Sequence, residues 1–143
     1  MGKINWNRVI LGGLVAGVII NLFEYLLNAV VLAKQWASVM SGLGKTGELS
    51  GISIVVFNVW GFLLGITAVW FYAAIRPRYG PGLKTALCGG SAIWFVGIVL
   101  AGATPLALGL FPTQLLAMGI AVGFVEVVLG TTIGAWLYRE GTS

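Results

Sequence analysis

Four residues in one apolar stretch carry the first chemistry of this chain. Residues 17–28 read GVIINLFEYLLN, in which Gly17, Asn21, Glu24 and Asn28 recur at intervals of 4, 3 and 4. That spacing sets them on one face of a helix. A carboxyl flanked by two amides can bind a proton or a cation, or serve as a hydrogen-bonding group between helices. A second acid follows the same rule: Gly119, Gly123, Glu126 and Gly130 repeat the 4, 3, 4 intervals, and Gly134 extends the face. Asn58 supplies a third amide, three and seven residues before Gly61 and Gly65.

The remaining inventory narrows the chemistry. The chain has no His, no Asp and one cysteine, Cys88. A histidine base, a Cys/His metal site and an internal disulfide are excluded, and no cofactor is expected. Cys88 lies among small residues (CGGSA) and reads as a buried packing residue. An intramembrane enzyme would need a nucleophile and a base, and only acids and hydroxyls such as Thr131 are on offer, so the chain does not read as an enzyme.

The elements that must position these residues are membrane spans. Of 143 residues, 59% are apolar and 8% are charged. A soluble domain carries about 25% charged residues, so too little polar surface remains to solvate a globule. The expected fold is all-α: a single transmembrane domain over residues 1–143, built as an antiparallel up-down four-helix bundle. Its spans fall at about 9–33, 52–75, 85–103 and 114–138. The N-terminal arm with Lys3 and Arg8 resembles a signal peptide, but its apolar run contains Glu24 and exceeds the usual ~7–15 residues, so a retained span is expected. Residues 34–51 read as the longest loop; Val39, Met40 and Leu43 there give a weak signal for lying on the membrane surface. The run RPRYGPG at 76–82 is expected to end the second span, and TPLALGLFPT at 104–113 to form a tight turn. All four prolines then fall in connections.

Charge sets the orientation. Lys3, Arg8, Arg76, Arg78, Lys84 and Arg139 fall on one side of these spans, and Lys34 and Lys45 on the other. The positive-inside rule then places both termini in the cytoplasm. The eight basic residues form no dense run, so the net charge of +4 is no signal for nucleic acid.

Every Lys and Arg lies outside the spans, whereas Glu24 and Glu126 lie inside. A lone ionised carboxylate there costs on the order of several kcal/mol, so each acid should be neutral, hydrogen-bonded or paired with a bound cation. Counting ~1.5 Å per residue from the basic end puts both acids within roughly one turn in depth, with Glu126 level with Asn21 and Glu24 level with Gly123. Gly13, Gly17, Gly61, Gly65, Gly119, Gly123, Gly130 and Gly134 form small-residue stripes of the kind that lets helices approach closely.

The stretches INWNRVILGGLVAGVIINLFEYLLN, YAAIRPRYGPG and EVVLGTTIGAWLYREG together resemble small bacterial four-span integral membrane proteins of unknown function. That likeness implies a bacterial inner membrane and supplies no activity. Residues 126–132, EVVLGTT, locally resemble the glutamate motif of small multidrug resistance transporters, which exchange protons for cationic drugs. They depart from it in lying in the last span, in one extra residue between acid and glycine, and in lacking the lysine that follows. Only a role for Glu126 would carry over.

These features point to a structural or accessory membrane protein whose glycine and Glu/Asn stripes pack the bundle interior. The alternative is a proton- or cation-coupled small transporter using Glu24 and Glu126, with Asn21, Asn28 and Asn58 shaping the cavity. The partners expected are the lipid bilayer and a second copy of the chain, since four short helices leave little room for a path.

Overall fold

A computed structural model describes residues 3–46 and 48–140. They are helical, with no strand among them. The helices are α1 (Trp6–Tyr25), α2 (Ala33–Gly42), α3 (Gly51–Tyr79), α4 (Leu83–Trp94), α5 (Ala101–Ala107) and α6 (Thr113–Leu137). Two π-helical turns extend this set: Leu26–Val31 continues α1, and Phe95–Leu100 joins α4 to α5. Four continuous helical stretches, Trp6–Val31, Gly51–Tyr79, Leu83–Ala107 and Thr113–Leu137, are each long and apolar enough to cross a membrane.

Two of the four prolines lie inside helices, contrary to the expectation that all fall in connections. α3 runs through Pro77 to Tyr79, and α5 runs through Pro105 to Ala107. Apolar spans tolerate proline because neighbouring groups satisfy the carbonyl it frees. Glycine ends these helices instead. Gly80 and Gly82 adopt φ of 84° and 123°, and Gly109 adopts φ of 62°. After α5, the Leu110 amide donates to Pro105 O at 3.0 Å and Gly109 to Leu106 O at 3.1 Å, the double closure of a left-handed glycine cap.

The stretch 34–51 is not simply a loop, because α2 occupies its first half. Trp36, Val39 and Met40 recur at i, i+3, i+4, and Trp36 and Val39 pack on a cluster of Leu27, Leu32 and Leu115. Leu43 stays exposed.

Contacts between helices run in opposite sequence order for each neighbouring pair. Gly12 meets Gly134 and Ala16 meets Gly130 between α1 and α6. Gly13 meets Ile66 and Gly17 meets Phe62 between α1 and α3. α4 completes the ring, with Gly90 against Val128 of α6 and Gly89 against Tyr72 of α3.

Burial divides the molecule into a closed and an open half. The buried residues of α3 all lie between Gly61 and Ala73, and those of α4 between Thr85 and Gly90. At the basic end a cluster of Val9, Tyr72, Ala73, Ala86, Ala135 and Tyr138 seals the bundle. In the other half, residues 51–60 of α3 are exposed except for half-buried Ser53. There α3 stands away from the other helices, while Leu27 and Leu32 still pack on Leu115 of α6 and Trp94 donates to Ile120 O at 2.9 Å.

Candidate functional site: a carboxyl pair where the bundle opens

The register of α1 against α6 places the two acids. Gly12 opposite Gly134 and Ala16 opposite Gly130 continue to Ile20 opposite Glu126 and Glu24 opposite Val122. Glu24 and Glu126 are therefore one turn apart on facing helices. Their carboxyls adjoin.

The two surroundings differ. Glu126 is 1% exposed, and its Oε2 atom is buried with no hydrogen-bond partner. Glu24 continues the buried row Gly12–Ala16–Ile20 of α1, the row that meets α6. It is nonetheless exposed. The pair spans the boundary between the closed half and the open one.

A chain of donors leads into the pair from α2. Trp36 Nε1 donates to Asn28 Oδ1 at 2.8 Å. Asn28 Nδ2 donates to Glu24 Oε2 and to the Glu24 backbone oxygen, the latter at 3.1 Å. The Trp36 ring is held edge-on to Phe111, with centroids 5.7 Å apart. Asn28 sits in the π-helical turn from whose end α2 departs.

The other two amides do different work. Asn21 Nδ2 donates to the Asn58 backbone oxygen at 3.2 Å and ties α1 to α3. Asn58 turns its own amide onto Ile54 O of the same helix at 2.8 Å, so its side chain binds its own backbone and leaves the pair alone.

The glycine stripes divide in the same way. Gly13, Gly17, Gly61, Gly65, Gly130 and Gly134 lie where another helix would collide with a Cβ or meet it tightly. Gly123 lies against Ile98 of the π turn after α4, not against α1. Gly119 faces open space, a correction to its expected packing role, since no atom of another helix stands within 4 Å of where its Cβ would be. Gly12, absent from the expected stripes, makes the closest backbone approach to α6. Cys88 is exposed on α4 and is no packing residue. Trp36 joins the site through Asn28, and its i, i+3, i+4 relation to Val39 and Met40 is the sequence signal that marks that face of α2.

A second polar cluster closes the basic end. The Asn5 amide donates to Tyr138 Oη at 3.3 Å, and Gly82 donates to Tyr72 Oη at 3.3 Å. The two tyrosine rings meet edge to face at 6.1 Å. The Arg76 guanidinium stands 5.6 Å from the Tyr138 ring centre and pairs with Glu140 at 3.3 Å. Both tyrosine hydroxyls have partners inside this cluster, whereas Arg76 Nε and Nη1 are buried without a hydrogen-bond partner and meet Glu140 as an ion pair alone; the cluster reads as a clasp.

No family model, curated protein or solved structure matches this chain.

Proposed function

We propose that the chain is a multi-pass protein of a bacterial inner membrane that takes up and releases a proton or small cation at Glu24 and Glu126. It crosses the membrane four times, up and down, with both termini in the cytoplasm. The observation that carries this reading is the contrast within the pair. Glu126 is sealed in with a bare carboxyl oxygen, and its neighbour Glu24 is open. A buried polar atom without a partner is costly, and intramembrane acids mark ion pathways more often than packing. An acid kept only as a hydrogen-bonding group would have both oxygens engaged.

The path would run from the open half to Glu24, and from Glu24 to Glu126. A second copy of the chain would complete its walls. The test is flux through the purified protein in liposomes, read with an internal pH dye under an imposed gradient. Proton-linked flux in the parent and its loss in Glu126→Gln, with the fold intact, is the expected result. Liposomes that hold the gradient equally well with parent, variant or no protein would sink the reading.

The accessory role has one observation in its favour: Glu24 is already bonded to Asn28, as a hydrogen-bonding acid would be. Under that reading Glu24→Gln and Glu126→Gln are both silent.

A further inference from the structure

We propose that the cavity between the start of α1 and the end of α6 binds the phosphate of an anionic phospholipid, gripped by Arg8 and Arg139. The inference needs the chain to sit in a membrane and stands whether or not any ion crosses it.

The cavity measures about 320 Å³ and is lined by Arg8, Trp136, Leu137 and Arg139. Small-molecule sites typically enclose about 300–1,000 Å³. The register of α1 on α6 brings the two arginines to it. Ala16 on Gly130 and Gly12 on Gly134, carried one turn further, set Arg8 level with Tyr138, the neighbour of Arg139. The Asn5 amide donates to Tyr138 Oη at 3.3 Å and ties the two segments together there.

Neither arginine has an acid to answer it. Of the chain's four acids, Glu24, Glu48 and Glu126 lie away from this end, and Glu140 is taken by Arg76 at 3.3 Å. Among the described residues that is the only ion pair. The N-terminus of α1 and the C-terminus of α6 meet here, so their dipoles oppose and the arginine charges set the local field. Two positive groups in a cavity with no acid in its lining call for an anion. Each guanidinium is a planar fork that can take two phosphate oxygens at once.

The rest of the lining favours a lipid over a free anion. Trp136 is 85% exposed in the last turn of α6, and an indole at the end of a span lies at the headgroup level of a bilayer. Leu137 adds apolar surface beside it. A phosphate held by the arginines would send its acyl chains past Trp136 along α6. Arg8 and Arg139 are both exposed, so a lipid reaches them without any helix having to move. The cytoplasmic leaflet, where the positive-inside rule sets this end, is the one rich in anionic lipid.

Native mass spectrometry of the full chain in detergent tests this. The anionic probe is dioleoylphosphatidylglycerol, and the zwitterionic one is dioleoylphosphatidylethanolamine. The parent should retain phosphatidylglycerol in preference. The pair Arg8→Gln with Arg139→Gln should weaken that retention about 10- to 30-fold, the factor two basic residues command at an anionic surface. Arg78→Gln with Lys84→Gln removes the same charge from two other exposed positions at the basic end. It should change retention by less than about 2-fold, since charges away from the site are screened. Arg8→Lys with Arg139→Lys keeps the charge and loses the forks. It should weaken retention by about 2-fold or more, and it carries the test if the glutamine pair folds poorly. Equal losses in the two glutamine pairs would mean a general attraction to positive charge and overturn the proposal, as would equal retention of both lipids by the parent. Glycerol 1-phosphate, which has the headgroup's phosphate and no acyl chains, should compete only weakly. Competition on a par with the lipid would assign the site to a soluble phosphate instead and overturn the lipid.

Discussion

Gly12 and Gly134 meet backbone to backbone: a Cβ on either would strike the carbonyl of the other, with Val69 of α3 pressed against both. Three helices converge there with no room for a side chain. Gly134→Leu should therefore destabilise the folded protein by about 1–3 kcal/mol or more through overpacking that a backbone carbonyl cannot relieve. Gly119→Leu, on the same helix but facing open space, should change stability by less than about 0.5 kcal/mol. Denaturant unfolding in detergent, followed by circular dichroism, compares the two. Equal losses would place α6 differently against α1.

The helical class and four helices long and apolar enough to cross a membrane are legible in the sequence. Hydropathy marks a span directly, and a rise fixed at ~1.5 Å per residue turns sequence counting into depth. That count sets Glu126 level with Asn21, and the register of Gly12 on Gly134 and Ala16 on Gly130, carried on, runs to Ile20. What the count could not show was divergence. Gly119 shares a stripe with Gly130, but only Gly130 has a helix to meet, because stripes record spacing and not how far two axes stay together. Asn58 was misplaced for a related reason: an amide can satisfy itself on its own helix, as Asn58 does on Ile54 O. Proline misled in the other direction, since Pro77 and Pro105 are carried within helices that glycine then ends.

Orientation in the membrane is open to a direct check. Cys88 is exposed and must first be replaced by serine. In that background, cysteine at position 45 should react with an impermeant maleimide added outside spheroplasts. Cysteine at position 79 should react only after the membrane is opened. Lys45 and Tyr79 are both exposed, so access and not burial decides the outcome. Reaction of both from one side contradicts the four-crossing topology with cytoplasmic termini.

The clasp at the basic end makes a smaller and separable claim. Tyr138→Phe keeps the ring between Tyr72 and Arg76 but removes the hydroxyl that accepts from the Asn5 amide. The expected loss is about 0.5–1.5 kcal/mol, the net worth of one hydrogen bond. Glu140→Gln should cost less than about 1 kcal/mol and its effect should fade at high salt, since its pair with Arg76 is partly exposed. Unfolding midpoints at low and high salt distinguish the two. A salt-dependent Tyr138→Phe would mean that the hydroxyl acts through Arg76 and not through Asn5.

The bare oxygen of Glu126 leads to a prediction of opposite sign. A side chain retained for packing should cost stability when it is replaced, whereas one retained for function is often a liability to the fold. Glu126 is fully buried, has an unpartnered Oε2, and adjoins another acid. Methionine has a similar length, no polar atom to desolvate, and enough flexibility to settle among the neighbouring side chains. Glu126→Met should therefore stabilise the protein by about 1–3 kcal/mol, the cost of one buried unsatisfied group. Glu126→Gln, which leaves a polar end group in the same place, should gain little. Flux should be lost in both. The measurement is the unfolding midpoint of parent, Met and Gln forms in one detergent, alongside transport in liposomes. A Met form that unfolds more easily than the parent would show that the carboxyl holds the fold together, and the accessory reading would then be the better one.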